Sequence, residues 1–93
     1  MTEPESHEIT LTDDKNPPDF VPKSTQANLG DTILFTTASG QTRTIQIQTD
    51  SGETDLDISD RTPWVPPVAY NYGLKYVHKG GTTTGNVNVI VNG

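Results

Sequence analysis

Two histidines are the side chains of this sequence best suited to acid–base or metal chemistry, and they lie far apart along the chain. His7 stands among acidic residues near the start, and His78 stands beside Lys79 near the end. Because the sequence holds no cysteine, thiolate metal sites, thiol nucleophiles and disulfides are excluded. One imidazole alone is a poor metal site, since stable sites need three or four ligands. A Ser-His-Asp triad would have to use His78, and no nucleophile-elbow or phosphate-loop motif is present, so we expect no enzymatic activity and no cofactor.

The residues around His7 form the first candidate cation site. Glu3, Glu5 and Glu8 are its acidic neighbours, and together they could bind a metal weakly. Because a metal would have to order this segment at a cost in chain entropy, we interpret it as a flexible tail instead.

The densest acidic run lies between residues 50 and 60 and offers only oxygen ligands, which suit Ca²⁺. It comprises Asp50, Glu53, Asp55, Asp57 and Asp60. Its spacing lacks the EF-hand order of ligands and the central glycine of that loop. In an extended segment Asp55 and Asp57 share one face while Leu56 and Ile58 take the other, which is the ordinary pattern of a half-buried strand. We therefore expect a solvent-facing strand surface here.

Charge and hydropathy limit the classes of partner that this chain could have. The net charge is −6 over 93 residues, with a pI of about 4.5, which argues against nucleic acid as a partner because a binder needs a clustered basic face. No run approaches the roughly 18 apolar residues of a membrane span, so we expect no membrane insertion. All twelve acids lie at or before Asp60. Such an asymmetry either marks a partner-facing end or reflects acids crowded into loops by chance.

The elements that must position these residues are predicted to be strands. Threonine, which favours strands, occurs fifteen times, and no stretch has apolar residues at helical spacing. We expect residues 1–6 to be a disordered tail and residues 7–93 to form one domain. Alternating patterns predict strands over 7–13, 24–29, 32–37, 42–49, 54–60, 68–77 and 85–91. Residues 24–29 are weakly apolar and are expected at a sheet edge, and residues 61–67 are expected to be an irregular crossing in which Trp64 packs on the core.

Turn signals every 8–12 residues predict an all-β fold, a Greek-key β-sandwich of seven or eight strands. Short motifs in order also resemble the cupredoxins, the plastocyanin-type blue-copper sandwiches. Phe20-x-Pro22 is followed ten residues after the phenylalanine by Gly30-Asp31 and then by Ile33-Leu34-Phe35, and Tyr70-x-Tyr72 precedes Gly85-x-Val87-x-Val89. The resemblance covers residues 7–92 and implies that the strand of Ile9 and Leu11 pairs in parallel with that of Ile33 and Phe35. An immunoglobulin-like sandwich is the alternative fold.

The copper ligands that the resemblance implies are mostly absent. A blue-copper site needs two histidines, a cysteine and a weak axial methionine. Arg43 stands in the place of the first histidine, and Leu74 or Gly73 stands where the cysteine belongs. His78 fits the second histidine, but Thr82 or Thr83 takes the place of the methionine. The sequence therefore excludes a blue-copper centre.

The expected function is that of a non-enzymatic, copper-free binding module for an unknown protein or glycan partner. Its expected contact surface is the former metal end, which comprises Arg43, Tyr76, His78 and Lys79. Two alternatives remain open: a noncanonical copper-binding or electron-transfer protein that uses His78, and a structural domain excised from a larger protein. We expect a monomer. Residues 1–6 do not resemble a signal peptide, but the family resemblance favours an extracytoplasmic location for a mature form.

Overall fold

The computed structural model describes residues 3–78 and 80–93, and these residues form an all-β fold of two sheets. The strands are β1 Ser6–Leu11, β2 Phe20–Val21, β3 Ser24–Asn28, β4 Thr32–Thr37, β5 Arg43–Thr49, β6 Gly52–Ile58, β7 Thr62–Trp64, β8 Tyr70–Lys75 and β9 Val87–Asn92. One sheet has the order β2-β1-β4-β7, and the other has the order β3-β9-β8-β5-β6. The predicted all-β class is confirmed. None of the described residues belongs to a helix that could cross a membrane.

The strand count is nine within the described residues, against the seven or eight that we predicted. The difference comes from two short strands at sheet edges. Phe20–Val21 pairs with the end of β1, and Thr62–Trp64 pairs with β4. The second pairing also corrects the expectation of an irregular crossing over residues 61–67, since Pro63 is tolerated on an edge strand.

Both sheets mix parallel and antiparallel neighbours. In the four-stranded sheet β1 pairs in parallel with β4, and Ile9 lies opposite Phe35. This pairing confirms the expected contact between the two strands. In the five-stranded sheet β3 pairs in parallel with β9, while the other pairs are antiparallel. The predicted edge position of residues 24–29 is confirmed by β3, which ends that sheet.

The first strand begins earlier than expected. β1 starts at Ser6, and the backbone N–H of Thr32 donates to the carbonyl of Glu5 at 2.9 Å. The predicted tail of residues 1–6 is therefore too long, because its last two residues already join the β1–β4 pairing.

The hydrophobic core is built from both sheets, as the alternating sequence patterns require. Its buried members are Ile9, Leu11, Phe20, Ala27, Ile33, Phe35, Ile45, Ile47, Ile58, Tyr72, Leu74, Tyr76, Val87, Val89 and Val91. Trp64 packs against this cluster, with its ring 6.1 Å from that of Phe35 and 5.0 Å from that of Tyr72 between centroids. The predicted packing role of Trp64 is thereby confirmed.

Candidate functional site

Arg43, predicted to lie in the contact surface, is held by a buried carboxylate. Its Nε donates to Asp13 Oδ2 at 2.8 Å, and the Asp13 side chain is fully buried. Asp13 also accepts hydrogen bonds from the backbone N–H and the hydroxyl of Ser39. These contacts tie the segment after β1 to the turn between β4 and β5, so the cation is neutralised within the fold.

The electrostatics of this pair follow from its hydrogen bonds. Burial opposes ionisation of Asp13, but the donors from Ser39 and Arg43 outweigh it and hold the pKa of this carboxyl below its ordinary value. The pKa of the Arg43 guanidinium is raised, chiefly by the hydrogen bond to Asp13. Both groups are therefore charged across the physiological range.

The other members of the predicted surface lie on the segment after β8. Tyr76 is buried, and its ring centroid is 6.2 Å from that of His78. The backbone N–H of His78 donates to the carbonyl of Thr82 at 2.6 Å, which closes a tight loop. His78 Nδ1 is enclosed and has no hydrogen-bond partner among the described residues. The structure thus groups Arg43, Tyr76 and His78, whereas Lys79 lies outside the described residues. We call this group, with Asp13, the loop end.

His7 does not lie in a flexible tail, which corrects that interpretation of its acidic neighbourhood and agrees with the strand predicted from residue 7. It sits in β1, and its Nε2 is 2.9 Å from Asp31 Oδ2. Asp31 also accepts backbone N–H bonds from Asn28 and Glu5 at 2.9 and 3.0 Å. These two bonds, from Asn28 first, together with His7 lower the pKa of Asp31 to about 2.

Within the described residues, Glu5, His7 and Asp31 are the one group of three metal-ligating side chains within 4.8 Å of each other. The grouping differs from the one that the sequence suggested, because Asp31 replaces Glu3 and Glu8. Asp31 Oδ2 already accepts a hydrogen bond from the Asn28 N–H and contacts His7. These contacts join β1 to the turn before β4, and we call Asp31 with its three partners Glu5, His7 and Asn28 the Asp31 clasp.

The acidic run behaves as predicted. Asp55 and Asp57 are exposed on β6, Ile58 is buried, and Leu56 is half-buried. The hydroxyl of Thr44 on the neighbouring strand donates to Asp57 at 2.6 Å. The run therefore forms a polar strand surface at the edge of the five-stranded sheet.

A groove on the outer face of the five-stranded sheet was not anticipated from the sequence. Gln46, Gln48, Gly73, Lys75, Asn86 and Asn88 form most of its lining, and we call it the amide groove. Its volume is about 390 Å³, near the lower end of the ~300–1,000 Å³ range of small-molecule sites. It lies on the side of the sheet opposite the core, because its side chains alternate with the buried residues of β5 and β8.

Strand register explains the shape of the amide groove. Gly73 on β8 lies between Gln48 on β5 and Asn88 on β9 in one row across three strands. The middle residue of the row has no side chain, so its two amide-bearing neighbours face each other across a trough. Asn88 Nδ2 donates to Asn71 Oδ1 at 3.1 Å, which fixes the plane of the Asn88 amide.

The backbone does not require glycine at position 73. Five other glycines have positive φ, among them Gly30 at 100° and Gly52 at 121° in turns, where glycine is the residue that fits. Gly73 has no such φ, and the register through it is continuous, without a bulge. An added Cβ would meet Gln48 Cβ at 3.5 Å, an ordinary contact. Glycine inside a regular strand costs stability and often marks the close approach of a ligand or another backbone.

The amide groove also contains an unsatisfied acceptor and balanced charge. Gln46 Oε1 is enclosed and accepts no hydrogen bond from any described residue. Lys75 and Glu53, which also lines the groove, place Nζ and Oε2 3.9 Å apart, so the lining carries no net charge. The site therefore presents neutral donors and acceptors, one of which lacks a partner.

The chain matches no protein-family model, and a comparison with curated proteins finds no match either.

Proposed function

We propose that this chain is a non-catalytic binding module that uses the amide groove as its contact surface. The observation that carries the proposal is Gly73, a strand glycine that no backbone conformation demands and that opens a trough between Gln48 and Asn88. A strand interior gains stability from a β-branched side chain. In this proposal the glycine at position 73 is explained by the space it leaves.

The fold within this proposal is a Greek-key β-sandwich of the cupredoxin type. The parallel pairing of β1 with β4 supports it over the immunoglobulin-like alternative, as do the two mixed sheets that share one core. The module is copper-free in this proposal. Arg43, in the place of a copper ligand, is a cation already bound to Asp13, and a guanidinium next to the site would repel a metal ion.

The loop end is the second candidate contact surface. One observation favours it: the enclosed Nδ1 of His78 has no partner among the described residues. Against it stand the pairing of Arg43 with Asp13 and the burial of Tyr76, which leave few polar groups for a partner.

The test is a set of ¹H–¹⁵N NMR titrations of the full chain with probes of four chemistries. These probes are neutral oligosaccharides, an acidic peptide, a basic peptide and adenosine monophosphate. A binding module predicts that at least one probe shifts the amide signals of Gln46, Gly73 and Asn88 saturably. Shifts confined to Tyr76 and His78 would move the contact surface to the loop end. No saturable shift with any probe would contradict the proposal and favour a structural domain.

The copper alternative is tested separately with Cu²⁺ and Zn²⁺. The proposal predicts that signals of Leu74 and His78 do not respond saturably, and that any response centres on His7 and disappears in His7→Ala. Saturable broadening at Arg43 and His78 that persists in His7→Ala would instead establish a metal site at the loop end.

A further inference from the structure

We propose that the amide groove binds a neutral, hydroxyl-rich ligand, and that short saccharides are the class it fits. This inference rests on the proposed function and adds the chemistry of its ligand. Three features of the described residues carry it: the spacing of the amide side chains, the acceptor at Gln46 that has no partner among them, and a lining whose charges balance.

The amide side chains match a ligand with several hydroxyl groups. Each primary amide offers one acceptor and two donors in a fixed plane, and each sugar hydroxyl can both donate and accept. Gln48 and Asn88 lie two strands apart, on either side of Gly73. Because neighbouring strands are spaced about 4.8 Å apart, the Cα atoms of Gln48 and Asn88 stand roughly 10 Å apart, wide enough for one sugar ring above Gly73.

Gln46 supplies the most specific requirement. Its Oε1 is enclosed and lacks a hydrogen bond among the described residues, and a buried acceptor without a partner is costly. The matching ligand group is therefore a donor. In the neighbouring row Gln46 lies opposite Lys75 on β8. Rotation of the half-buried Gln46 side chain would turn Oε1 into the groove, where a ligand hydroxyl can donate to it while the hydroxyl oxygen accepts from the ammonium.

The charge of the groove argues against ionic ligands. Glu53 and Lys75, which lie 3.9 Å apart, oppose each other, and the remaining polar lining is amide. A phosphate or a nucleotide needs unopposed cations or several convergent N–H donors. A peptide strand is recognised chiefly through backbone hydrogen bonds at a sheet edge, whereas this groove lies on a sheet face.

The described lining of the groove contains no aromatic residue. Affinity is therefore expected to come chiefly from hydrogen bonds, without ring stacking. Since each hydrogen bond adds only a modest net free energy, we expect Kd values on the order of 1 mM for a single short saccharide.

The experiment is an NMR titration of the full chain with short neutral oligosaccharides of hexose and pentose units, up to about 10 mM. We expect saturable shifts of the backbone and side-chain amide signals of Gln46, Gln48 and Asn88. The variant Gly73→Val should fill the trough and weaken binding by about tenfold or more, and Gln46→Ala should weaken it severalfold.

Two controls make these outcomes specific. Gln26→Ala removes an exposed strand amide of the same sheet, on β3 and outside the groove, and should leave the Kd unchanged. Thermal unfolding should show that Gly73→Val remains folded, so loss of binding in this variant cannot be due to unfolding.

Each outcome separates this inference from the proposed function. If an acidic or basic peptide or the nucleotide shifts the groove signals and no saccharide does, the ligand class is wrong while the binding module stands. If no probe shifts the groove signals, both fall. If a saccharide binds Gly73→Val and wild type equally, the amide groove is not its site.

Discussion

The loop end and the amide groove both gather polar side chains, but they use them in opposite ways. At the loop end Asp13 receives donors from Arg43 and Ser39, and its side chain is fully buried. In the amide groove Gln46 leaves an acceptor without a partner among the described residues, one row away from a strand glycine. Charged groups that satisfy one another stabilise a fold, whereas unpaired neutral groups around a trough can bind something else. Polar residues gathered at the loop end are thus not evidence of a contact surface by themselves.

The largest expected effect comes from removing the charge on which the loop end depends. Asp13→Ala leaves Arg43 without its partner in a mostly enclosed position and should cost about 2–4 kcal/mol of unfolding free energy. Urea denaturation followed by tryptophan fluorescence measures this loss. Asp55→Ala, at an exposed position on β6, is the control and should change stability by less than about 0.5 kcal/mol. Similar losses for both variants would show that the loop-end pair is not structural.

The contact of Asp13 with Arg43 also shows which part of the fold could not be predicted from the sequence. The alternation of Ile9 with Leu11 and of Ile45 with Ile47 indicated strands and core faces, because burial of one face imposes a period of two on the sequence. The partner of Arg43 could not be predicted, since Asp13 and Arg43 are thirty positions apart along the chain. Only the tertiary fold decides which of many acids lies next to a given cation.

The amide groove was missed for a related reason. Glutamines and asparagines on the outer faces of strands follow the ordinary polar-outward pattern, so nothing in each strand alone singled them out. The signal that was available is Gly73, an isolated glycine inside a predicted strand. Its neighbours became known only from the register, which places Gln48 on one side and Asn88 on the other.

Asp31 is a second carboxylate whose hydrogen bonds are made within the fold, as at Asp13. Its lowered pKa predicts that the stability of the protein depends on pH. The pKa of Asp31 is lowered from 3.8 to about 2 on folding, so the unfolded chain binds more protons than the native chain between these values. The contribution of Asp31 to stability is therefore fully present above about pH 4 and is lost as the pH falls through about 2.

The measurement is the unfolding free energy from pH 7 to pH 2 in wild type and in Asp31→Asn. The variant should be less stable at pH 7, and the difference between the two proteins should shrink as the pH falls below 4. Asp60→Asn, at an exposed position, should follow the wild-type profile. A constant difference between wild type and Asp31→Asn at every pH would contradict the role assigned to the Asp31 charge.

The next prediction concerns Gly73, the glycine of the amide groove. Gly73→Val should raise the unfolding free energy by about 0.5–1 kcal/mol, because a β-branched residue restricts the unfolded chain and suits a strand. Gly52→Val is the matched control: the φ of Gly52 is 121°, so the same substitution should destabilise the protein by about 1–2 kcal/mol. Urea denaturation of both variants gives the sign. A destabilised Gly73→Val would mean that glycine is kept for the fold and would weaken the functional interpretation of the groove.

The smallest effect is expected at His78, whose enclosed Nδ1 has no partner among the described residues of the loop end. His78→Leu removes an enclosed Nδ1 that has no partner among the described residues, so stability should change by no more than about 1 kcal/mol, in either direction. The ring of His78 lies near that of Tyr76, which is buried, and leucine retains part of this packing.

Urea denaturation of His78→Leu gives the unfolding free energy, and titration with the four probes tests for any change in binding. A loss well above about 1 kcal/mol would mean that the imidazole contributes to the packing around Tyr76. The disappearance of probe shifts at Gln46 and Gly73 would mean that the loop end and the amide groove are coupled. Independent behaviour is expected, because Asp13 and Arg43 keep their hydrogen bond whether or not the imidazole is present.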